Sequence, residues 1–206
     1  MAFTDFKYPT VLTELALTLD NADDLFAGVA PVPLSAAFHQ QLQMTGRLAV
    51  TINTEKSRSE WLVAPVLAAF WERYHGRIGL YSGTNFSGDP DAGLSGYCDY
   101  VITRAPQQFV IDPPVLVAFE GKNESIPNGL GQCVAAMVGA QRFNRRHNAP
   151  SDPIYGCVTT GTAWRFLRLS GSTVTLDLRE YGIGEADLLL GVLTHIVGPP
   201  PAQAAA

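Results

Sequence analysis

An apolar run in the middle of the chain ends directly in charged residues. Residues 115–119 read Val-Leu-Val-Ala-Phe, follow a pair of prolines, and lead into Glu120, Gly121 and Lys122. A short, valine-rich run of this kind predicts a buried strand. Because side chains alternate across a strand, Glu120 and Lys122 are expected on the same face. Charges at the end of a buried strand are costly to desolvate unless another group pairs with them or binds them.

A second acidic residue, Asp99, lies in a strand predicted over residues 97–103. Alternation gives Asp99 the same face as Tyr97 and Val101. Carboxylates from two neighbouring strands are oxygen ligands that suit Mg²⁺, with Mn²⁺ as the alternative ion. A lysine beside such an ion can orient or deprotonate a water. The simpler alternative is an ordinary ion pair at a strand end, close to a structural aspartate.

Three further motifs flank these residues. Residues 59–67 have apolar side chains at helical spacing, with Glu60 in the first turn. Residues 129–132 are Gly-Leu-Gly-Gln and lie at the start of a helix predicted to run to about Arg146. Residues 155–166 contain a Thr-Thr-Gly-Thr turn and a later Trp-Arg-Phe, which predict a hairpin.

In this order, the motifs resemble the PD-(D/E)xK nuclease superfamily and are similar to the nuclease region of type I restriction R subunits. In that family an aspartate precedes Glu-x-Lys, and the first core helix carries a glutamate that assists the metal site. Gly-x-x-Gln opens the helix after the catalytic strand, and a Thr-Asn-Gly turn and Trp-x-Phe form the next hairpin. This chain has Thr160 where that turn often has Asn.

The resemblance implies an α/β protein with a restriction-endonuclease-like αβββαβ core. A central mixed sheet would be flanked by helices, with extra N-terminal helices and a C-terminal helix. It also implies an Mg²⁺-dependent endonuclease that hydrolyses phosphodiester bonds of nucleic acid, with DNA the favoured substrate. The implied metal ligands are Asp99, Glu120 and the Gly121 carbonyl, and the implied catalytic residues are Asp99, Glu120, Lys122, Glu60 and Gln132.

Two of these residues have ordinary structural explanations as well. A carboxylate such as Glu60 in a first helical turn is favoured by the helix dipole alone. The related family often carries Gln-x-x-x-Tyr, whereas here Gln132 is followed by Ala136, so the implied aromatic contact is missing. The alternative function is therefore a catalytically silent relative that binds nucleic acid or serves as a protein-interaction subunit.

The charge of the chain limits how it can hold nucleic acid. Its formal net charge is −5, whereas nucleic-acid-binding proteins usually have a basic surface. Phosphate contacts must then come from a local patch, and the best candidates are Arg142, Arg145 and Arg146. The alternative interpretation of this patch is a solvated helix face. The sequence contains no recognisable motif for sequence-specific DNA binding. Target choice is therefore expected to depend on a homodimer or a partner subunit.

Length and composition predict one domain over residues 1–206, with a core at about 57–180. Residues 1–50 are expected to be a helical extension that covers a face or edge of the sheet, or alternatively grips DNA or dimerises. Residues 199–206 are expected to be a frayed tail. Three cysteines without metal-type spacing predict buried, reduced thiols and a cytoplasmic protein, and no stretch predicts a membrane span.

The remaining elements follow from periodicity and turn residues. A helix beginning at Ser57 or Ser59 is expected to reach about Tyr74, ended by Gly76. Helices are also predicted at 13–19, 34–42 and 185–197, strands at 78–86, 154–160, 164–169 and 173–178, and a loop at 87–93.

Overall fold

In the described part of the chain, eight strands form one mixed sheet with helices on both faces, so the chain is α/β, as predicted. The structure is a computed structural model that describes residues 2–106, 108–123, 125–150 and 152–200. The predicted frayed tail therefore lies mostly outside the described residues.

The helices and strands have the following bounds. The α-helices are α1 (Thr10–Glu14), α2 (Ala36–Ile52), α3 (Glu55–Arg58), α4 (Ala64–Glu72), α5 (Pro127–Arg146) and α6 (Ala186–Val197). The strands are β1 (Thr18–Ala22), β2 (Gly79–Asp89), β3 (Leu94–Thr103), β4 (Val115–Gly121), β5 (Ile154–Thr159), β6 (Ala163–Ser170), β7 (Thr173–Asp177) and β8 (Tyr181–Gly182). A π-helical turn over Ser59–Val63 joins α3 to α4, just before Pro65, which has no N–H to donate to a preceding turn.

The strand order across the sheet is β1-β7-β6-β5-β4-β3-β2, and β8 pairs with β6. Strands β2, β3 and β4 form an antiparallel meander. Helix α5 then carries the chain across one face, so that β5 returns parallel to β4. A parallel pair needs such a crossover, because a short turn can only reverse the chain.

The N-terminal fifty residues are not wholly helical, and the helix predicted over residues 13–19 is wrong. Helix α1 ends at Glu14, Ala16 has a left-handed φ of 53°, and β1 follows. Strand β1 pairs in parallel with β7, where the Thr18 and Thr173 hydroxyls are 3.0 Å apart. Pairing with a distant strand has overridden local helix preference. Residues 18–22 of this segment thus form one edge of the sheet.

The sheet separates two apolar cores. One core contains Phe70 from α4, Leu189 from α6 and Trp164 from β6. The other contains Met137 from α5 and Phe86 from β2. Burial of both sheet faces explains why β4 is apolar along its whole length rather than alternating.

Near its C-terminal end, α5 is fastened to β4 by a fully buried asparagine, Asn144. Its Oδ1 accepts a hydrogen bond from the Val115 N–H at 2.8 Å, and its Nδ2 donates to the Val115 carbonyl at 2.8 Å. The same Nδ2 also donates to the Pro150 carbonyl at 3.0 Å. One side chain thus satisfies three backbone groups where the first residue of β4 meets the helix.

The β2–β3 hairpin is longer than predicted. Strand β2 continues to Asp89, three residues past the predicted strand end, and β3 begins at Leu94. The Asp89 carboxylate is held by Arg142 of α5 at 2.9 Å and by Arg146 at 3.5 Å. These ion pairs from the neighbouring helix fix a segment whose glycine and proline content alone predicts a loop.

Candidate functional site

Strands β3 and β4 separate at one end of the sheet, and Asp99 lies at the point of separation. Their pairing runs from Thr103 only as far as Tyr100. Cys98 packs in the core beside α5, whereas Tyr100 packs in the core on the opposite face. Side chains two residues apart normally share a face, so alternation along β3 breaks at Asp99. In β2, beside this break, Gly83 has φ 58°, a conformation that glycine adopts readily.

This break corrects the expectation that Asp99 shares a face with both Tyr97 and Val101. Tyr97 is exposed, and Val101 is buried against α5. The Asp99 Oδ2 instead accepts a hydrogen bond from the Gly121 N–H at 2.6 Å. The carboxylate therefore reaches across the gap between the strands. Its other oxygen makes no hydrogen bond to any described residue.

Glu120 and Lys122 lie together beneath the start of α5. Glu120 is only 4% exposed, and the Lys122 Nζ donates a hydrogen bond to its Oε1. A Cβ at Gly129 would lie 3.3 Å from the Glu120 Cγ, 3.2 Å from the Lys122 Cγ and 2.6 Å from a Val158 methyl group. Gly129 is thus a glycine because the helix approaches the strand end too closely for a side chain. The shared face of Glu120 and Lys122 follows the predicted alternation.

The electrostatics of this pair are unbalanced toward negative charge. Burial raises the pKa of Glu120 to about 8, and the negative charge of Asp99 is the second cause of this rise. The hydrogen bond and positive charge of Lys122 lower the same pKa, but they offset the rise only in part. Burial acts to lower the pKa of Lys122, but its hydrogen bond and charge pairing with Glu120 outweigh burial, so that pKa is raised. The negative charges of Glu55 and Asp99 also raise the pKa of Lys122. Of these three carboxyl groups, only Glu120 forms an ion pair with Lys122 among the described residues.

A cleft of about 350 Å³ opens beside Asp99. Helix α3 and the π-helical turn form one wall, which is tied to β3 by the Ser59 and Tyr100 hydroxyls at 2.7 Å. The residues lining the cleft are Glu55, Lys56, Ser59, Glu60, Ser82, Gly83, Asp99, Tyr100 and Gly121. A larger groove of about 490 Å³ beside α2 is mainly apolar, and no carboxylate lines it among the described residues. The smaller cleft is therefore the one that carries carboxylate side chains.

Glu60 lines this cleft, but its side chain is exposed and forms an ion pair with Lys56 at 3.6 Å. Sequence reasoning missed Glu55, which lines the same cleft. Its negative charge raises the pKa of both Glu120 and Lys122. The helix that the sequence predicts to begin at Ser57 or Ser59 begins earlier, at Glu55 of α3. Thr54 is the N-cap, and its side chain accepts a hydrogen bond from the Ser57 N–H at 3.1 Å. The Thr54 hydroxyl was the signal that could have found the earlier start.

The other predicted residues form no hydrogen bond to Asp99, Glu120 or Lys122 among the described residues. Gln132 is half-buried on α5, and no hydrogen bond joins it to Glu120 or Lys122 within the described residues. Arg142 and Arg146 are held by Asp89, and Arg146 also donates to the Gly88 carbonyl. Arg145 is exposed. From Gly129 to Arg142, the helix rises about 20 Å.

The residues at the strand ends suit a hard cation such as Mg²⁺. Among the described residues, no three side chains of histidine, cysteine, aspartate or glutamate converge as a ready-made metal site. Mg²⁺, however, is usually held by one or two carboxylates, with waters and substrate phosphates completing its shell. The free oxygen of Asp99 and the excess negative charge around Glu120 fit that mode.

The cysteines contribute no ligands to this site. Cys98, Cys133 and Cys157 are buried and unpaired, as predicted. Burial raises the pKa of Cys98 to about 12, and the charges of Glu120 and Asp99 act in the same direction. These thiols remain protonated, and a protonated thiol is a poor metal ligand.

Comparison with protein-family models, curated proteins and solved structures found no match to this chain. No helix in the described part of the chain has the length and apolar character needed to cross a bilayer. What the chain does must therefore be inferred from the chemistry of its own site.

The site predicts a pH-dependent response to Mg²⁺. Because the folded-state pKa of Glu120 is raised to about 8, the folded protein binds a proton that the unfolded chain releases near pH 4.5. This contribution to stability is lost as pH rises through 8. An Mg²⁺ ion held by Glu120 would compete with that proton, so the Mg²⁺-induced increase in melting temperature should grow between pH 6 and pH 9.

Differential scanning fluorimetry with and without Mg²⁺ would measure this effect. In Glu120→Gln, both the Mg²⁺ response and its growth with pH should disappear, because the amide neither titrates nor attracts the cation. An Mg²⁺ response of equal size at pH 6 and pH 9 would contradict the assignment of Glu120.

Proposed function

We propose that the protein is a metal-dependent nuclease that hydrolyses phosphodiester bonds of nucleic acid. The observation that carries this proposal is that Asp99 binds the backbone of Gly121, between Glu120 and Lys122, where β3 and β4 separate, and that its charge raises the pKa of Glu120. Two carboxylates and one amine at a sheet margin form a compact set of groups for cation-assisted phosphoryl chemistry.

The chain order of the elements supports a restriction-endonuclease-like core. Helix α4 precedes the antiparallel strands β2, β3 and β4, and α5 then leads to β5, which is parallel to β4. This is the αβββαβ sequence that the motifs predict. Both acidic residues and the lysine come from the β3–β4 pair at the centre of that unit.

Each residue would have a distinct role. Asp99, Glu120 and the Gly121 carbonyl would hold a cation such as Mg²⁺. When bound, Mg²⁺ would supply Lewis-acid stabilisation of a phosphoryl oxygen and lower the pKa of a bound water. Lys122 would position the attacking water and stabilise negative charge that develops on the phosphate. The buried position of Glu120 strengthens these interactions, because nearby water is excluded.

The test is divalent-dependent cleavage. Purified protein would be incubated with plasmid, linear duplex and single-stranded DNA and with RNA, with and without Mn²⁺, beside Asp99→Ala. Cleavage that requires Mn²⁺ and disappears in Asp99→Ala would support the proposal. Equal cleavage by parent and variant would identify a contaminant and refute it.

A second function is favoured by two observations, the net charge of −5 and the lack of a ready-made three-residue metal cluster among the described residues. The alternative is a silent relative that binds nucleic acid or a partner protein. Calorimetry distinguishes the two, since the nuclease should bind Mg²⁺ or Mn²⁺ and the silent relative should not.

A further inference from the structure

The β2–β3 hairpin extends beyond the end of β4. Strands β2 and β3 pair with each other from Gly79 and Thr103 out to Asp89 and Leu94. Strand β3 pairs with β4 only between Tyr100 and Thr103. The outer ribbon, defined as residues 84–89 and 94–98, therefore overhangs the strand end that carries Glu120.

One face of the outer ribbon is buried, and the other is open. Phe86, Leu94 and Cys98 pack in the core that contains α5. On the opposite face, Asn85 pairs with Tyr97, and Tyr97 is 69% exposed. The neighbouring residues on this face, Ser87 and Ser95, also pair with each other. The Tyr97 ring is therefore a largely exposed aromatic surface in a row of small polar side chains.

The open face differs in charge from the cleft beside it. Asn85, Ser87, Ser95 and Tyr97 carry no charge at neutral pH. In the cleft, Lys56 is paired with Glu60, and close by Lys122 is paired with Glu120. The open face itself therefore offers no cation to a phosphate. Duplex binding depends mainly on such cations, whereas stacking of a base on an aromatic ring does not.

We propose that Tyr97 is a stacking platform for an unpaired base and that the site takes single-stranded nucleic acid along the outer ribbon. This rests on the proposed nuclease function. Tyr97 lies two residues before Asp99, a strand rise of about 7 Å, which is close to two base steps of one strand. A base stacked on Tyr97 would leave a nearby phosphate within reach of Asp99. Bases inside a duplex cannot present a face to this ring.

The test is binding of fluorescently labelled single-stranded and duplex oligonucleotides, measured by anisotropy in EDTA so that nothing is cut. Tyr97→Ala should weaken single-strand binding by about 10-fold or more, whereas Tyr97→Phe should bind like the parent because it keeps the aromatic face. Met44→Ala removes an equally exposed apolar side chain from α2 and should have no effect. Tighter binding of duplex, or unchanged single-strand binding by Tyr97→Ala, would overturn the proposal.

Asp99→Ala separates this inference from the function on which it rests. That variant should lose cleavage but bind single strands at least as tightly, because it removes a negative charge beside the ribbon. If Asp99→Ala cuts like the parent, the nuclease assignment fails and the inference fails with it. If Asp99→Ala is inactive while Tyr97→Ala binds and cuts single strands normally, only the stacking role of Tyr97 is refuted.

Discussion

Replacing Lys122 by alanine is expected to reduce divalent-dependent cleavage by at least about 100-fold while the protein stays folded. The amine lies beside Glu120 at the end of β4, where it is half-buried and packs beneath Gly129. A smaller side chain at a strand end leaves the backbone pairing of β4 intact. What is lost is the group that would hold the water and meet the developing charge.

A loss of Mg²⁺ binding would produce the same inactivity, so the two must be measured separately. Removing Lys122 removes a positive charge from the ligands, and calorimetry should show Mg²⁺ affinity equal to or above that of the parent. The chain has two other lysines, and Lys7→Ala is the matched control because, within the described residues, the Lys7 Nζ donates only to the Thr4 carbonyl at 2.9 Å. Cleavage by Lys122→Ala at the parent rate would exclude the catalytic role.

The largest effect on stability is expected from Asn144→Ala. The substitution leaves the N–H and carbonyl of Val115 buried without their partners and removes the bond to Pro150. Each unsatisfied buried group costs about 1–3 kcal/mol, so the free energy of unfolding should fall by about 3–5 kcal/mol. Urea denaturation followed by circular dichroism would measure it.

The matched control is Asn128→Ala, which changes an exposed asparagine in the first turn of the same helix. That change should alter the free energy of unfolding by no more than about 0.5 kcal/mol. If the two variants unfold at the same urea concentration, Asn144 does not fasten α5 to β4 in the way described.

The parts of the site that sequence predicts are those fixed by local pattern. An apolar run ending in Glu120 and Lys122 specifies a buried strand with both side chains on one face, and the helix after Gly129 follows from the helical spacing of its small and apolar residues. The α/β architecture follows from the alternation of such runs with helical segments. Each of these features depends on residues close together in the chain.

The features that sequence did not predict depend on distant neighbours. The break in alternation at Asp99 requires a positive φ at Gly83 and an N–H supplied by Gly121. Strand β1 forms because β7 offers it an edge, although its own residues are mostly exposed and polar. Glu55 was missed because Thr54, Ser57 and Ser59 are all suitable helix caps, and the structure uses the earliest of them, Thr54.

The parallel pairing of β1 with β7 joins residues as far apart as Thr18 and Thr173, which are 155 positions apart. During synthesis on the ribosome, β1 must therefore wait for its partner until residues 23–172 and β7 itself have emerged. Long-range contacts of this kind slow folding and leave strand edges open to other molecules. Prematurely terminated products that end before β7 should thus be the form of this protein that depends most on chaperones.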